Sequence, residues 1–200
     1  MKVVPPFIAL SAALLTSACG GVSEASAAPA EAAVFAGGCF WCTEADFEKI
    51  PGVISAVSGY TGGARPDPTY QNHAGHFEAV RVVYDPAKVS YATLVSRFWP
   101  TIDPTDDAGQ FCDKGPAYRT AVFVGTPAQR QVAEASRARA AAVLKRPVVT
   151  PVRDAARFWP AEAYHQDYAK KNPLRYNVYR RGCGRDARLR ALWGGRKAVP

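Results

Sequence analysis

Between Val34 and Val152 strand and helix signals follow one another in an order that leaves few ways to build a core. A short apolar run, Val34-Phe35-Ala36, stops at Gly37-Gly38. The apolar residues after it, Phe40, Trp41, Ala45, Phe47 and Ile50, then return at helical spacing until Pro51-Gly52. Val53 to Ser58 reads as a strand, Gly59 to Gly75 as a loop rich in Gly, Pro and Asn, and Phe77 to Tyr84 as the strongest strand, closed by Asp85-Pro86. Ser90 caps a helix carrying Leu94, Val95, Phe98 and Trp99, which Pro100 ends. A long loop, Thr101 to Ala117, leads to a strand at Arg119–Val124. Thr126-Pro127 opens a helix that runs to Lys145, and Val148–Val152 forms a last strand. The order βαββαβαβ predicts an α+β fold, a ferredoxin-like split βαβ sheet in two layers with its helices. Chemistry on such a scaffold falls to the long loops and to the turn before Cys39.

Charge would point to an anionic partner if it were spread over the body, but it is not. The chain carries a net +8, and the stretch from Lys170 to Pro200 holds ten basic residues against the single acid Asp186, leaving the rest near −1. No basic face joined to stacking aromatics and no nucleic-acid module is visible, so nucleic acid is not an expected partner. The segment reads as a long, solvated Arg-rich C-terminal tail. At 200 residues, 48% of them hydrophobic, the chain suits one domain with a tail, and a monomer is expected.

Met1-Lys2 followed by an apolar run to Leu15 has the form of a secretory leader. Two cuts are open. Leu15-Thr16-Ser17-Ala18-Cys19 resembles a lipoprotein box displaced by one residue, and Ala25-Ser26-Ala27 resembles an ordinary cleavage site. The expected organisation is a leader over 1–27 (or 1–18 for a lipoprotein), a linker to 33, a catalytic domain over 34–170 and the basic tail over 171–200. The protein is then exported, periplasmic or held at the envelope by a lipid on Cys19, its one expected membrane attachment. Without Cys19, four cysteines remain in a domain large enough to fold on its own core, so they read as working thiols.

Gly37-Gly38-Cys39 sets a thiol at the first turn of a helix, where unpaired N–H groups and the helix dipole favour a thiolate. Around it stand Gly38-Cys39-Phe40-Trp41 with Glu44, Gly59-Tyr60-Thr61-Gly62-Gly63, Pro68-Thr69-Tyr70, Gly75-His76 with Glu78-Ala79-Val80, Tyr84-Asp85-Pro86 and Tyr118-Arg119-Thr120. In this order, from about Val34 to Asn172, they resemble the peptide methionine sulfoxide reductases of the A type, which act on the S epimer.

The resemblance implies that Cys39 attacks the sulfoxide sulfur, methionine leaves, and Cys39 becomes a sulfenic acid. It implies Glu78 as general acid, Tyr70 and Tyr118 as oxygen-binding phenols, Phe40 and Trp41 as the wall for the methionine methyl, and Asp113 as a carboxylate that orients partners. Protein repair follows, with no metal or nucleotide cofactor and with electrons from an external thioredoxin-like dithiol. Of the thiols that could resolve the sulfenic acid, Cys183 between glycines and arginines ranks first. Cys42 follows, since a helix running from Cys39 would have to deform to bond the two. Cys112 is a resolver or a bystander. Cys39-Phe40-Trp41-Cys42 also opens two other readings: thiol–disulfide exchange through Cys39 and Cys42, and a metal module of Cys39, Cys42, His73 and His76. His73, His76 and His165 are otherwise assigned structural hydrogen bonds.

Overall fold

The computed structural model describes residues 1–3 and 29–199, so the expected leader, both cleavage sites and Cys19 fall on residues outside those described. Strand β1 (Glu31–Gly37) leads through a glycine turn into helix α1 (Phe40–Phe47), then β2 (Val53–Thr61) and β3 (Phe77–Tyr84). Helix α2 (Tyr91–Phe98) follows, capped by the Ser90 side chain, which accepts the Thr93 N–H. A small hairpin, β4 (Gly109–Gln110) with β5 (Asp113–Lys114), interrupts the long loop before β6 (Thr120–Val124). Helix α3 (Pro127–Leu144) starts at the expected Thr126 cap and ends at left-handed Lys145. Beyond it come β7 (Val152–Asp154), β8 (Trp159–Pro160), α4 (Tyr168–Lys171), α5 (Pro173–Gly182) and α6 (Arg185–Trp193).

The six-stranded mixed sheet has the order β7-β6-β1-β3-β2-β8. Its four central strands are antiparallel neighbours, with β3 inserted between β1 and β2, the split βαβ expected from the element order. Alternation divides the faces. Phe35, Val80, Val82, Val122 and Val124 join Phe47, Phe98, Trp99, Ala133 and Ala140 in the main core under the helices. On the opposite face Phe77, Ala79, Ala121 and Phe123 form a thinner layer, roofed by Arg119 and Arg153 over the Phe77 ring. Glu78 shares the register of Val80 and Val82 and therefore points into the helical layer.

Two expectations are corrected. The strand expected over Val148–Val152 begins only at Val152 and is not the last, since β8 follows it; Pro147 and Pro151 offer no N–H, and Val149 bonds the Pro104 carbonyl instead of a strand. The residues after 171 are not a solvated tail but two helices packed on the domain. Trp193 is 1% exposed and its indole donates to the Ile102 carbonyl at 2.9 Å, while Val199 is equally buried and bonds Ser96. Two of their arginines pair with acids: Arg180 meets Asp46 and Asp186, and Arg188 meets Asp103 at 2.7 Å. Among the described residues no helix is long and apolar enough to cross a membrane.

Candidate active site

Cys39 is the N-cap of α1, with φ −51° and ψ 119°, so it stands just outside the helix while Cys42 occupies the third helical position. Side chains at those two positions face each other, as in a capping box. Both thiols are free and lie in one buried cluster with Ala45, Tyr168 and Tyr176, so Cys42 is a near neighbour of Cys39. Gly38 makes the turn possible: its φ is +81°, and a Cβ there would lie 2.5 Å from the Gln110 side chain.

Glu78 approaches from β3. Its Oε2 accepts the Phe40 backbone N–H at 3.0 Å, one of the N–H groups that the helix start leaves unpaired. Burial pushes this carboxyl up to about 8, opposed in part by the Phe40 N–H. Burial likewise raises the Cys39 thiol, helped by the sulfur of Cys42 and the charge of Glu78, while Tyr179 pulls it down. Cys42 goes the other way. The hydrogen bond from Cys39 lowers it to about 6, against burial and with the charges of Arg185 and Arg180.

Cys39, Phe40, Trp41, Tyr70, Glu78, Asp113 and Tyr118 converge on one cleft of about 70 Å³, small enough to seat the tip of a side chain. Tyr70 and Tyr118 line the cleft together, and burial raises both phenols so that they stay protonated. Trp41 is held on three sides: its Nε1 donates to His165 Nδ1 at 3.0 Å, its ring stacks on Tyr168 at 3.7 Å, and Tyr179 meets it edge-on. Glu44, buried behind Cys39, accepts from Ser58 and from the Asp167 N–H and so fixes α1 to β2 and to the start of α4.

Sequence reasoning missed Tyr179, whose hydroxyl donates to Asp113 Oδ2 from a helix read as solvated tail. It also missed Glu162, which accepts from Tyr60 and from the Tyr70 N–H and sets the loop that carries Tyr70. No periodic pattern marks either residue. Cys183, ranked first as resolver, is bonded to Cys112 with Cα atoms 4.9 Å apart, while Cys39 and Cys42 are free. The four ligands of the metal module are not gathered: His76 bonds the Gly63 N–H and Arg65 carbonyl, and His73 the Thr69 and Tyr70 carbonyls. Among the described residues no group of metal-capable side chains includes Cys39 or Cys42.

A thiol at a helix start, a second thiol one turn on, a neutral carboxylic acid and two phenols around a small cleft define a thiol-dependent reductase site. The comparisons with known proteins agree. The peptide methionine sulfoxide reductase family profile matches residues 31–197. Over 182 residues, 88% of this chain and 92% of the relative, the chain is 57% identical to peptide methionine sulfoxide reductase MsrA 2 of Caulobacter vibrioides. It is 46% identical to peptide methionine sulfoxide reductase MsrA of Bacillus licheniformis over 82% of this chain and 94% of that one. Among solved structures, methionine sulfoxide reductase A of Corynebacterium diphtheriae superposes with a TM-score of 0.64 at 32% identity, covering 72% of this chain and 76% of that one. Reduced Mxr1 of Saccharomyces cerevisiae gives 0.63 at 26% identity, covering 72% and 86%. The chain belongs to the peptide methionine sulfoxide reductase family.

Proposed function

We propose that this enzyme reduces the S epimer of methionine sulfoxide, free or in proteins, to methionine, and so repairs oxidised proteins. One observation carries the reading: Cys39, buried at the start of α1 in one cluster with Cys42, shares a small cleft with Glu78, whose carboxyl burial pushes up to about 8. Phe40 and Trp41 hold the methionine methyl, a soft apolar group against flat rings. Tyr70, Tyr118 and the Glu78 acid donate to the sulfoxide oxygen as charge develops on it.

Cys39 attacks the sulfur, the thioether leaves, and the oxygen stays on Cys39 as a sulfenic acid. Cys42, a near neighbour of Cys39 with its thiol lowered to about 6, then attacks Cys39 as the thiolate: the sulfur–sulfur bond forms, the sulfur–oxygen bond breaks, and the oxygen takes a proton from solvent and leaves as water. Its position makes it the resolving thiol in preference to Cys183, which is bonded to Cys112. A thioredoxin-like dithiol reduces the Cys39–Cys42 bond by exchange, and the two electrons come from thiols with no resident cofactor. The chain works as an exported monomer, periplasmic or lipid-anchored at Cys19, and takes no nucleic acid.

The test is methionine released per enzyme from each purified sulfoxide epimer without reductant, by the wild type and Cys39→Ser. Release from the S epimer alone, and none from the variant, is expected. Appreciable release from Cys39→Ser would sink the assignment. The facing Cys39 and Cys42 also favour a second reading, a periplasmic thiol–disulfide oxidoreductase. Reduction of insulin disulfides with no methionine released from either epimer would favour that one.

A further inference from the structure

Resting on the sulfoxide-reductase reading, we propose that Tyr179 and Asp113 form the route by which the Cys39 proton leaves. Tyr179 takes the thiol proton as the sulfur attacks and passes its own hydroxyl proton to Asp113 Oδ2. Tyr179 is thereby a further catalytic residue, and Asp113 does more than orient its neighbours.

The geometry sets the direction of transfer. Tyr179 lines the same small cleft as Cys39 and packs against the Cys39 and Cys42 cluster, and its hydroxyl donates to Asp113 Oδ2. A phenol has one hydrogen, and here it is committed to the carboxylate, so toward Cys39 the same oxygen is an acceptor for the S–H. Thiol, phenol and carboxylate thus form a chain of donors ending on a group that can only accept.

Other groups face this chain. Cys39 shares its cleft with Glu78 and Tyr70 as well as Tyr179, and its buried cluster with Cys42, and Asp113 feels the charges of Arg185, Lys114 and Glu78. Glu78 acts as the acid in the same step and cannot take a proton in it. Cys42 can accept from Cys39, but a proton resting there neutralises the thiolate that the next step requires. Asp113 is the acceptor with no competing duty. The proton count closes: the thiol proton ends on Asp113, the Glu78 proton ends on the oxygen of the Cys39 sulfenic acid, and solvent returns both carboxyls to their starting states.

The Cys112–Cys183 bond holds the chain together. It joins the residue before Asp113 to the residue one turn after Tyr179, so hairpin and helix keep their spacing. We read this bond as a positioning cross-link.

Single-turnover methionine release from the S epimer, followed against pH, tests the route in the cross-linked protein. Tyr179→Phe is expected to slow release about 10- to 100-fold near neutral pH, with the loss shrinking toward alkaline pH as the thiol ionises unaided. Asp113→Asn gives a similar loss that does not add to it. Tyr164→Phe, a change at an exposed ring, releases its methionine at close to the wild-type rate. Cys112→Ser slows release in the wild-type background but not in Tyr179→Phe. Unchanged folding by circular dichroism keeps the comparison valid. A Tyr179→Phe enzyme at wild-type rate throughout, or a loss in Cys42→Ser without one in Tyr179→Phe, overturns the route. A wild type that releases no methionine overturns the functional reading instead.

Discussion

Glu78 Oε2 accepts the Phe40 backbone N–H at 3.0 Å, so the acid of β3 is tied to the residue that follows the thiol. Acid and nucleophile move as one body. Their separation is then set by the β1–β3 ladder and the glycine turn, not by loop motion.

Catalysis should lose its acid as Glu78 ionises, with its carboxyl at about 8. The rate of methionine release, measured between pH 6 and 10 (roughly two units either side), is expected to fall through pH ~8 in the wild type. Glu78→Gln is expected to be about 10²- to 10⁴-fold slower below that point and to lack the fall. A wild-type fall surviving in the variant assigns the titration to another group.

The same group makes the fold pH-sensitive. Its folded-state value, about 8, lies above the ordinary 4.5, so the folded state binds the proton more tightly than the unfolded chain. This contribution to stability is complete below the ordinary value and is lost as pH rises through the folded one. Glu78→Gln keeps an acceptor for Phe40 and escapes the loss. Thermal melts above pH ~9 should show it more stable than wild type, by on the order of 1–3 kcal/mol, and the gain should vanish near pH ~5.

Resolution belongs to Cys42 in the proposed mechanism. Cys42→Ser should stop after one methionine and leave a sulfenic acid at Cys39 that dimedone labels, whereas Cys183→Ser should go on cycling with a thioredoxin. Dimedone labelling in Cys183→Ser and none in Cys42→Ser reverses the two assignments.

Arg185 is 2% exposed, bonds the Thr101 carbonyl at 2.7 Å and the Gly37 carbonyl, and stacks over the Phe111 ring. Its charge helps hold Cys42 at about 6. Arg185→Met should raise the pH midpoint of Cys42 alkylation by about one unit and destabilise the fold by about 2–4 kcal/mol, since two buried carbonyls lose their donor. An unmoved midpoint removes Arg185 from the thiol's electrostatics.

Much of the fold is legible because local signals and burial agree. Phe77–Tyr84 reads as a strand from its β-branched and aromatic residues, and Thr126-Pro127 announces α3 through chemistry confined to four residues. The helices after 171 are not legible for the opposite reason. Arginines face every side of α5 and α6, and what fixes them is Asp46, Asp103 and the Ile102 carbonyl, far away in sequence. Counting charges along the chain treats such arginines as solvated. Motif order brings Cys39, Tyr70, Glu78, Asp113 and Tyr118 into view together, but the nearness of Cys42 depends on one ψ angle at the helix start, which no spacing reveals.

The four central strands are complete at Val124, yet Tyr179, Arg185 and Trp193 are made long afterwards. On the ribosome the nascent chain therefore carries Cys39 and its sheet before the phenol, the buried guanidinium and the indole that finish their surroundings. Order of synthesis becomes a safeguard: the thiol pair reaches its working arrangement only once the chain through Trp193 has emerged.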